Sequence, residues 1–585
     1  MMTAWLCLTV AGIGVASNAS AQTAPIRVGS EKQLFLGPWA DDGRDDYLVE
    51  SMRNVTMTMN QAHVTGERLI PRDRPWDQGD VWLSVLKDGD VFRMYYGSRS
   101  TPDALRRGEP YSLILLYAES RDGVHWERPN LGFWEWDGNR DNNILFPNDD
   151  FPYVFKVSMP DQIFIDPNAA TPEEKYKMVL SLSVPTEPEE DDPDRPYPKR
   201  SGFLYPRKGV EASPLRAGHH VFSSPDGLHW KLMTQASIAT GANDAKYSVA
   251  WDARLGKYVQ WTRVKPADPE GVRYYREAFG VDRPELNVRM IGRAESDDLL
   301  HWGKGEIVLR PDELDKANSP AGLTRLDFYG PNIRQYGEGA NAYIATPTCH
   351  SHWKYTLEPD GKEQSFPQTV DVQLATSRDG IRWNRAPGRR PFIPHGIEGT
   401  FWSKMIYPSG DIIEVGDELW FYFGGAPWRH GDAVSYREGA IGRAVLRLDG
   451  FISADAAYTG GELIARPLVF TGCNLLLNVA TGAGGTVQVE IQDESGKPIP
   501  GFALEDADEI NGNSIRALAR WRAEIVQKMR RPEGDPDVSA LAGRPVRLRF
   551  VMRRPALFFP VRPGPRLTSL YRMISGRRIP PPEKD

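Results

Sequence analysis

Ser377-Arg378-Asp379-Gly380-Ile381-Arg382-Trp383 is a seven-residue stretch that the chain writes, with small changes, four times. The other copies are Ser120-Arg121-Asp122-Gly123-Val124-His125-Trp126, Ser224-Pro225-Asp226-Gly227-Leu228-His229-Trp230 and Ser296-Asp297-Asp298-Leu299-Leu300-His301-Trp302. Each follows a short apolar run (113–118, 219–222, 290–294, 372–375) and leads into another brief extended piece, so each reads as a hairpin turn. Ser and Asp accept hydrogen bonds from backbone amides just ahead of them, Gly permits a positive φ, and Trp folds back as a packing plug. These are turn residues and not chemistry. Their serines lie 104, 72 and 81 residues apart. A strand-built repeat of that size predicts propeller blades, four-stranded sheets that cannot bury their faces alone. A degenerate fifth ending, Leu448-Asp449-Gly450-Phe451, brings the expected blade count to five.

Working outward, 585 residues exceed one ordinary domain, and 17 Trp, 22 Tyr and 22 Phe among short apolar runs with frequent Gly and Pro suit an all-β protein. The net charge of −7 is spread without long runs and gives no electrostatic footprint for nucleic acid or an anionic membrane. Residues 1–21 read as a signal peptide, apolar and uncharged up to the small-residue site Ala19-Ser20-Ala21, and too short to anchor in a bilayer. The protein is thus expected to be secreted or periplasmic. Only Cys349 and Cys473 lie beyond it, in different expected domains, which implies two buried thiols and no disulfide framework.

The expected organisation is a five-bladed β-propeller over 22–455, a β-sandwich over 456–562 and a Pro- and Arg-rich disordered tail over 563–585. The N-terminal segment of the mature chain, residues 22–60 with the alternating run Val55-Thr56-Met57-Thr58-Met59, is expected to join the last blade and seal the ring. Residues 185–209, rich in Pro, Glu, Asp and Arg, read as a solvated loop.

In a propeller the first strand of every blade lies against the axis, so acids at the starts of these strands converge on one mouth of the central channel. The acids nearest those starts are Asp80, Asp161, Asp244, Asp327 and Glu398, the candidate catalytic set. Clustered carboxylates push at least one pKa upward, which lets a protonated acid and an ionised base coexist, as glycoside hydrolysis requires. Arg263, Arg289 and His430 are candidates for binding sugar hydroxyls or a sugar carboxylate, and Trp82, Trp402 and Trp428 for stacking on a sugar ring. His350 and His352 share one face of a strand and are further substrate-binding candidates. No third metal ligand is evident beside them, so no metal or other cofactor is expected.

These turns, with Ala118-Glu119-Ser120-Arg121-Asp122-Gly123, Asn142-Asn143-Ile144-Leu145, Leu448-Asp449-Gly450-Phe451 and Pro500-Gly501-Phe502-Ala503-Leu504-Glu505-Asp506, make the chain resemble the five-bladed propeller superfamily of glycoside hydrolase families 43, 32 and 68. It more closely resembles a group of secreted bacterial glycosyl-hydrolase-like proteins that join propeller and sandwich. The resemblance implies a carbohydrate substrate, an Asp base or nucleophile in the first blade (Asp80), an Asp that tunes the acid in the second (Asp161), and a Glu acid in a later blade. The third blade offers Asp244 where that Glu is expected, and Glu398 is the substitute. The Trp-(Met/Leu)-Asn-Asp-Pro-Asn and Arg-Asp-Pro signatures of invertases are missing, which disfavours fructans. A sialidase is a weaker match, because its repeat is one residue longer and its propeller usually has six blades. A carbohydrate-binding propeller without catalysis is the alternative of another class.

Overall fold

The computed structural model describes residues 24–37, 48–99, 113–146, 156–183, 203–204, 211–213, 215–234, 236, 238–240, 247–280, 282, 284, 286–317, 325–336, 342–352, 368–430, 432, 438–522 and 537–563. The expected signal peptide, nearly all of the expected solvated loop, Asp244 and all but the first residue of the tail lie outside them. The described architecture is all-β, with short helices at Pro269–Phe279 and Glu313–Ala317. The longer helix starts where Asp268 accepts the Gly271 amide at 2.9 Å and Pro269 fills the first position, both good helix-starting signals.

Four strands in chain order form each of the first three antiparallel sheets. The first holds Leu83–Asp88, Val91–Arg99, Leu113–Ser120 and Ile144–Phe146. The second holds Lys156–Ile165, Tyr176–Ser183, Gly218–Ser224 and Lys231–Leu232, with Ala239–Thr240 added to its third strand. The third holds Tyr247–Asp252, Lys257–Val264, Met290–Ser296 and Glu306–Leu309.

The fourth sheet breaks in two. Ile333–Gln335, Tyr343–Ala345, Ala375–Ser377 and Asn384–Arg385 form its body, while Arg325–Gly330, Thr348–His352 and Gln368–Val372, on the far side of Asn332, Thr346 and Gln373, form a ladder that runs on into the fifth sheet where Val370 pairs with Met405. Asn332 makes that break with a positive φ of 44°, and its side-chain amide donates to the Thr346 carbonyl and the Thr348 hydroxyl at 3.0 and 2.8 Å. In the fifth sheet, Met405–Pro408 and Ile413–Val415 both pair with Glu418–Ala426, followed by Ala440–Arg447 and then His63–Val64 from the other end of the chain.

The five sheets meet in a cycle. Along their first strands, the Ser84 hydroxyl donates to the Ile163 carbonyl at 3.2 Å, Gln162 donates to the Val249 carbonyl at 3.0 Å, Ile333 donates to the Ser248 hydroxyl at 3.0 Å, and Arg334 donates to Asp411 at 2.9 Å. The fifth returns to the first where Gly424 abuts Val81 so closely that a Cβ would stand 2.0 Å from the Val81 carbonyl oxygen. A cavity of about 450 Å³ is lined from all five, by Leu86, Phe164, Val249, Arg334 and Ile413 among others, near the C-terminal ends of the first strands.

The repeated turns have one geometry. In the first copy the Gly123 amide donates to the Ser120 hydroxyl at 2.8 Å, while the amides of Val124 and His125 both donate to Asp122 Oδ1 at 2.8 Å. The same bonds from the second and third residues beyond Asp recur at Asp226, Asp298 and Asp379. The side chains of His125, His229, His301 and Arg382, each on the other carboxyl oxygen, join these amides in holding all four carboxyls below the usual carboxylate range, against the burial that opposes them. Each turn docks on the middle of the preceding sheet: Gly227 against Tyr95, Leu299 in a cluster with Val179 and Val221, Gly380 against Trp261, and Gly123, in the first sheet, against Tyr422 of the last. The expected fifth ending differs. Asp449, without a Ser before it, accepts Lys32 at 2.5 Å and the Tyr336 hydroxyl at 2.7 Å, and so serves as a tie between distant segments.

Past Ile452 the chain forms a seven-stranded sheet dominated by two long strands, Leu475–Gln492 and Arg547–Pro563. The strands Val49–Arg53 and Val55–Met59 belong to it, paired with Gly461–Ala465 and Ile452–Ala456, and Ile26–Gly29 pairs in parallel with Leu468–Phe470. The expected ring-sealing segment therefore joins the C-terminal sheet, and only His63–Val64 just beyond it pairs with the fifth sheet. Alternation marks a half-buried strand and says nothing about its partner. The boundary expected at 455/456 falls inside the strand Ile452–Ala456. Of the two described cysteines, Cys349 is buried and Cys473, also expected to be buried, is partly exposed.

Candidate functional site at the mouth of the sheet cycle

Away from that cavity, towards the N-terminal ends of the first strands, Val81, Tyr329, Val370, Met405, Tyr407, Ala426 and Trp428 pack together with partly buried Trp82 against them. The first, fourth and fifth sheets each place an aromatic here just ahead of or at the start of a first strand. Trp82 stacks over Tyr329 at 6.1 Å between centroids and lies 4.6 Å from Tyr407. The third sheet contributes arginines. The guanidinium of Arg263, at the end of its second strand and 2 % exposed, stands 5.0 Å from the Tyr329 ring, and that of Arg289 stands 5.3 Å away.

The ladder that joins the fourth sheet to the fifth supplies the polar side. Asp327 and His350 are direct partners across the pair Arg325–Gly330 and Thr348–His352. His352, two residues along, shares the face of His350. Asp327 is fully buried and accepts the Arg289 amide at 2.9 Å on Oδ1 and the Arg289 guanidinium at 2.6 Å on Oδ2. The His352 Nε2 lies 2.8 Å from that same Oδ2. His350, 1 % exposed, is enclosed by Tyr329, His352 and His430 at centroid distances of 5.2, 4.7 and 4.8 Å. Burial, aided by the two neighbouring imidazoles, holds His350 well below the usual histidine range, so it is neutral. His430 is fixed by its amide, which donates to the Gln368 carbonyl at 2.9 Å. Asp327, His350 and His352 together offer three ligand atoms within 4.8 Å of one another, a set able to hold a metal ion.

Asp80, directly before Val81 and Trp82, is 2 % exposed; its Oδ1 accepts the Val81 amide at 2.6 Å and its Oδ2 stands 3.1 Å from Arg99. Burial raises its pKa in spite of Arg99.

Of the residues singled out in the sequence, Arg263, Arg289, Asp327, His350, His352, Trp428 and His430 are brought together around Tyr329, whereas Asp80 adjoins this cluster through Val81 and turns its carboxyl to Arg99. Asp161 lies on the strand Lys156–Ile165, but its side chain, like all of Asp244, falls outside the described residues. Glu398 is not drawn in among the described contacts: its side chain is 78 % exposed and bonds Lys404 at 2.5 Å. Trp402 lies beside Phe401 and Gly66, away from the aromatic cluster. The expectation that His350 and His352 lack a third ligand is corrected by Asp327, which strand pairing places opposite them from 23 residues upstream. Tyr329 and Tyr407 were not singled out, although their signal is legible: an aromatic just ahead of or within a first strand, as at Trp82.

No family model matches the chain, and neither does any curated protein. Among solved structures, a glycoside hydrolase is 14% identical over 66% of this chain and 92% of its own, with a TM-score of 0.38. An N-acetylgalactosamine deacetylase from F. plautii in complex with blood group B trisaccharide is 13% identical over 67% and 96%, at 0.36. A β-1,2-mannobiose phosphorylase from Listeria innocua is 12% identical over 67% and 98%, at 0.38. No described helix is long and apolar enough to cross a membrane.

Proposed function

We propose that the chain is a secreted or periplasmic carbohydrate-active hydrolase, a five-bladed propeller with a β-sandwich behind it, that cleaves a glycosidic bond at the mouth around Tyr329. The observation that carries this reading is the joint placement there of flat aromatic faces, two arginines and the buried carboxyl of Asp327, with a second buried carboxyl, Asp80, next in sequence to Val81 of the cluster. Aromatic faces bind the apolar faces of sugar rings, and arginines hold hydroxyls or carboxylates in fixed geometry.

Asp80 is the proton carrier in this proposal. Its burial keeps the carboxyl protonated to higher pH than an exposed aspartate, so it has a proton to give the leaving oxygen. Asp161 and Asp244 are the candidates for the carboxylate that activates water or attacks carbon. Asp327, held by Arg289, orients substrate. A propeller that binds glycans without cutting them is the second reading, favoured by Glu398, whose pairing with Lys404 leaves one fewer acid at the mouth.

Wild type and Asp80→Asn are to be assayed on plant and algal glycans, with circular dichroism to confirm folding. A general-acid role predicts a loss in turnover of about 10²- to 10⁴-fold with little change in KM. Full activity of the variant sinks the assignment of Asp80, and binding without cleavage by wild type moves the protein to the second reading.

A further inference from the structure

His350 is nearly inaccessible, yet both of its ring nitrogens are buried with no hydrogen-bond partner among the described residues. Leaving such a group unpaired costs about 1–3 kcal/mol, and folded proteins rarely tolerate it without an ion, water or ligand in place. The surrounding chemistry selects among these. A nitrogen of His350, a nitrogen of His352 and a carboxylate oxygen of Asp327 lie within 4.8 Å of one another. All three come from two directly paired strands, which hold the backbone positions firmly.

We propose that Asp327, His350 and His352 form a binding site for a divalent transition-metal ion of the zinc, cobalt or manganese kind. Two imidazoles and one carboxylate match the donor preference of such ions, whereas calcium and magnesium take oxygen ligands. Three protein ligands leave coordination positions for water or a substrate oxygen, the arrangement of catalytic and not of closed structural sites. The Arg289 amide and guanidinium fix the Asp327 carboxylate, as outer contacts orient metal-binding carboxylates elsewhere. The hydrogen now shared between His352 Nε2 and Asp327 Oδ2, 2.8 Å apart, is the one the ion replaces; His352 then carries its proton on Nδ1. Metal–ligand bonds of about 2.0–2.2 Å need ligand atoms roughly 3–3.5 Å apart, so side-chain rotation within the cluster suffices to close it. The site does not depend on the glycosidase reading, because metal content is measured without any substrate.

The test uses the untagged full chain, stripped with a chelator, dialysed against Zn²⁺ or Co²⁺ and then against metal-free buffer. Elemental analysis is expected to find about one equivalent per chain in wild type, and the Co²⁺ form to show visible absorption from nitrogen-ligated cobalt. His350→Gln and His352→Ala are expected to lose most of the equivalent, and His220→Ala, outside the cluster, to keep it. A wild type that retains no metal overturns the proposal, as does full retention in His350→Gln. Should His350→Gln not fold, the Co²⁺ spectrum of wild type decides: without nitrogen-ligated cobalt bands the proposal fails.

Discussion

Leu299 stands where the other three repeats have glycine, and it adopts the same left-handed backbone, with φ 70° against 75°, 79° and 70° at Gly123, Gly227 and Gly380. A Cβ in this region costs about 1–2 kcal/mol, which Leu299 offsets by burying its side chain to 1 % exposure beside Tyr258 and Val179. Trimming it therefore inverts the usual ranking. Urea denaturation is expected to find Leu299→Gly at least as stable as Leu299→Ala, by up to ~1 kcal/mol, although both lose burial. Asp371 makes a second case. Its Oδ1 is buried without a partner while the residue keeps partial exposure, and burial raises its pKa to about 7 in spite of Arg385. Between about pH 4 and 7 the unfolded chain ionises this group and the folded chain does not, so stability falls as pH rises through that window and levels off above it. Asp371→Asn is expected to match wild type near pH 4 and to exceed it at pH 8, by an amount bounded at roughly 4 kcal/mol and reduced by the partial exposure. Melting temperatures across pH check this; parallel curves for the two proteins refute it.

At the scale of elements, the turns are the joints between sheets. The Tyr422 hydroxyl donates to the Gly123 carbonyl at 2.8 Å, and a Cβ on Gly123 would stand 2.5 Å from that hydroxyl and 2.8 Å from Trp420. Gly123→Ala thus meets both a positive φ and a clash at the contact between first and last sheets, and a loss of about 2–4 kcal/mol is expected. Tyr422→Phe removes only the hydrogen bond and is expected to cost about 1 kcal/mol. Chemical denaturation that ranks the two in the opposite order refutes the joint. The repeat spacing, and with it the succession of sheets, was legible because identical local hydrogen bonds demand identical residues. The destination of residues 49–59 was not legible, because a strand at the edge of either sheet shows the same alternation.

For the molecule as a whole, Lys32 from the N-terminal segment, Tyr336 beside the fourth sheet and Asp449 at the end of the fifth meet in one buried knot. Asp449→Ala strands a lysine that is 9 % exposed, and breaking a buried pair from one side costs about 3–5 kcal/mol. Because the knot joins segments hundreds of residues apart, calorimetry is expected to show the sheet cycle and the C-terminal sheet both losing stability in that variant. A shift confined to one transition contradicts this.

The candidate site divides along the same line. Sequence alone identified the turns, the all-β class and the succession of sheets, since these follow from local hydrogen bonding, and it picked out Arg263, Asp327 and His350 among the residues that the structure groups around Tyr329. Only the tertiary structure decided that Asp327 faces His350, that Glu398 turns to solvent beside Lys404, and that the N-terminal strands join the C-terminal sheet. Register between strands is set by packing across the sheet, and side chains far apart along the chain carry no mark of the neighbour they will meet.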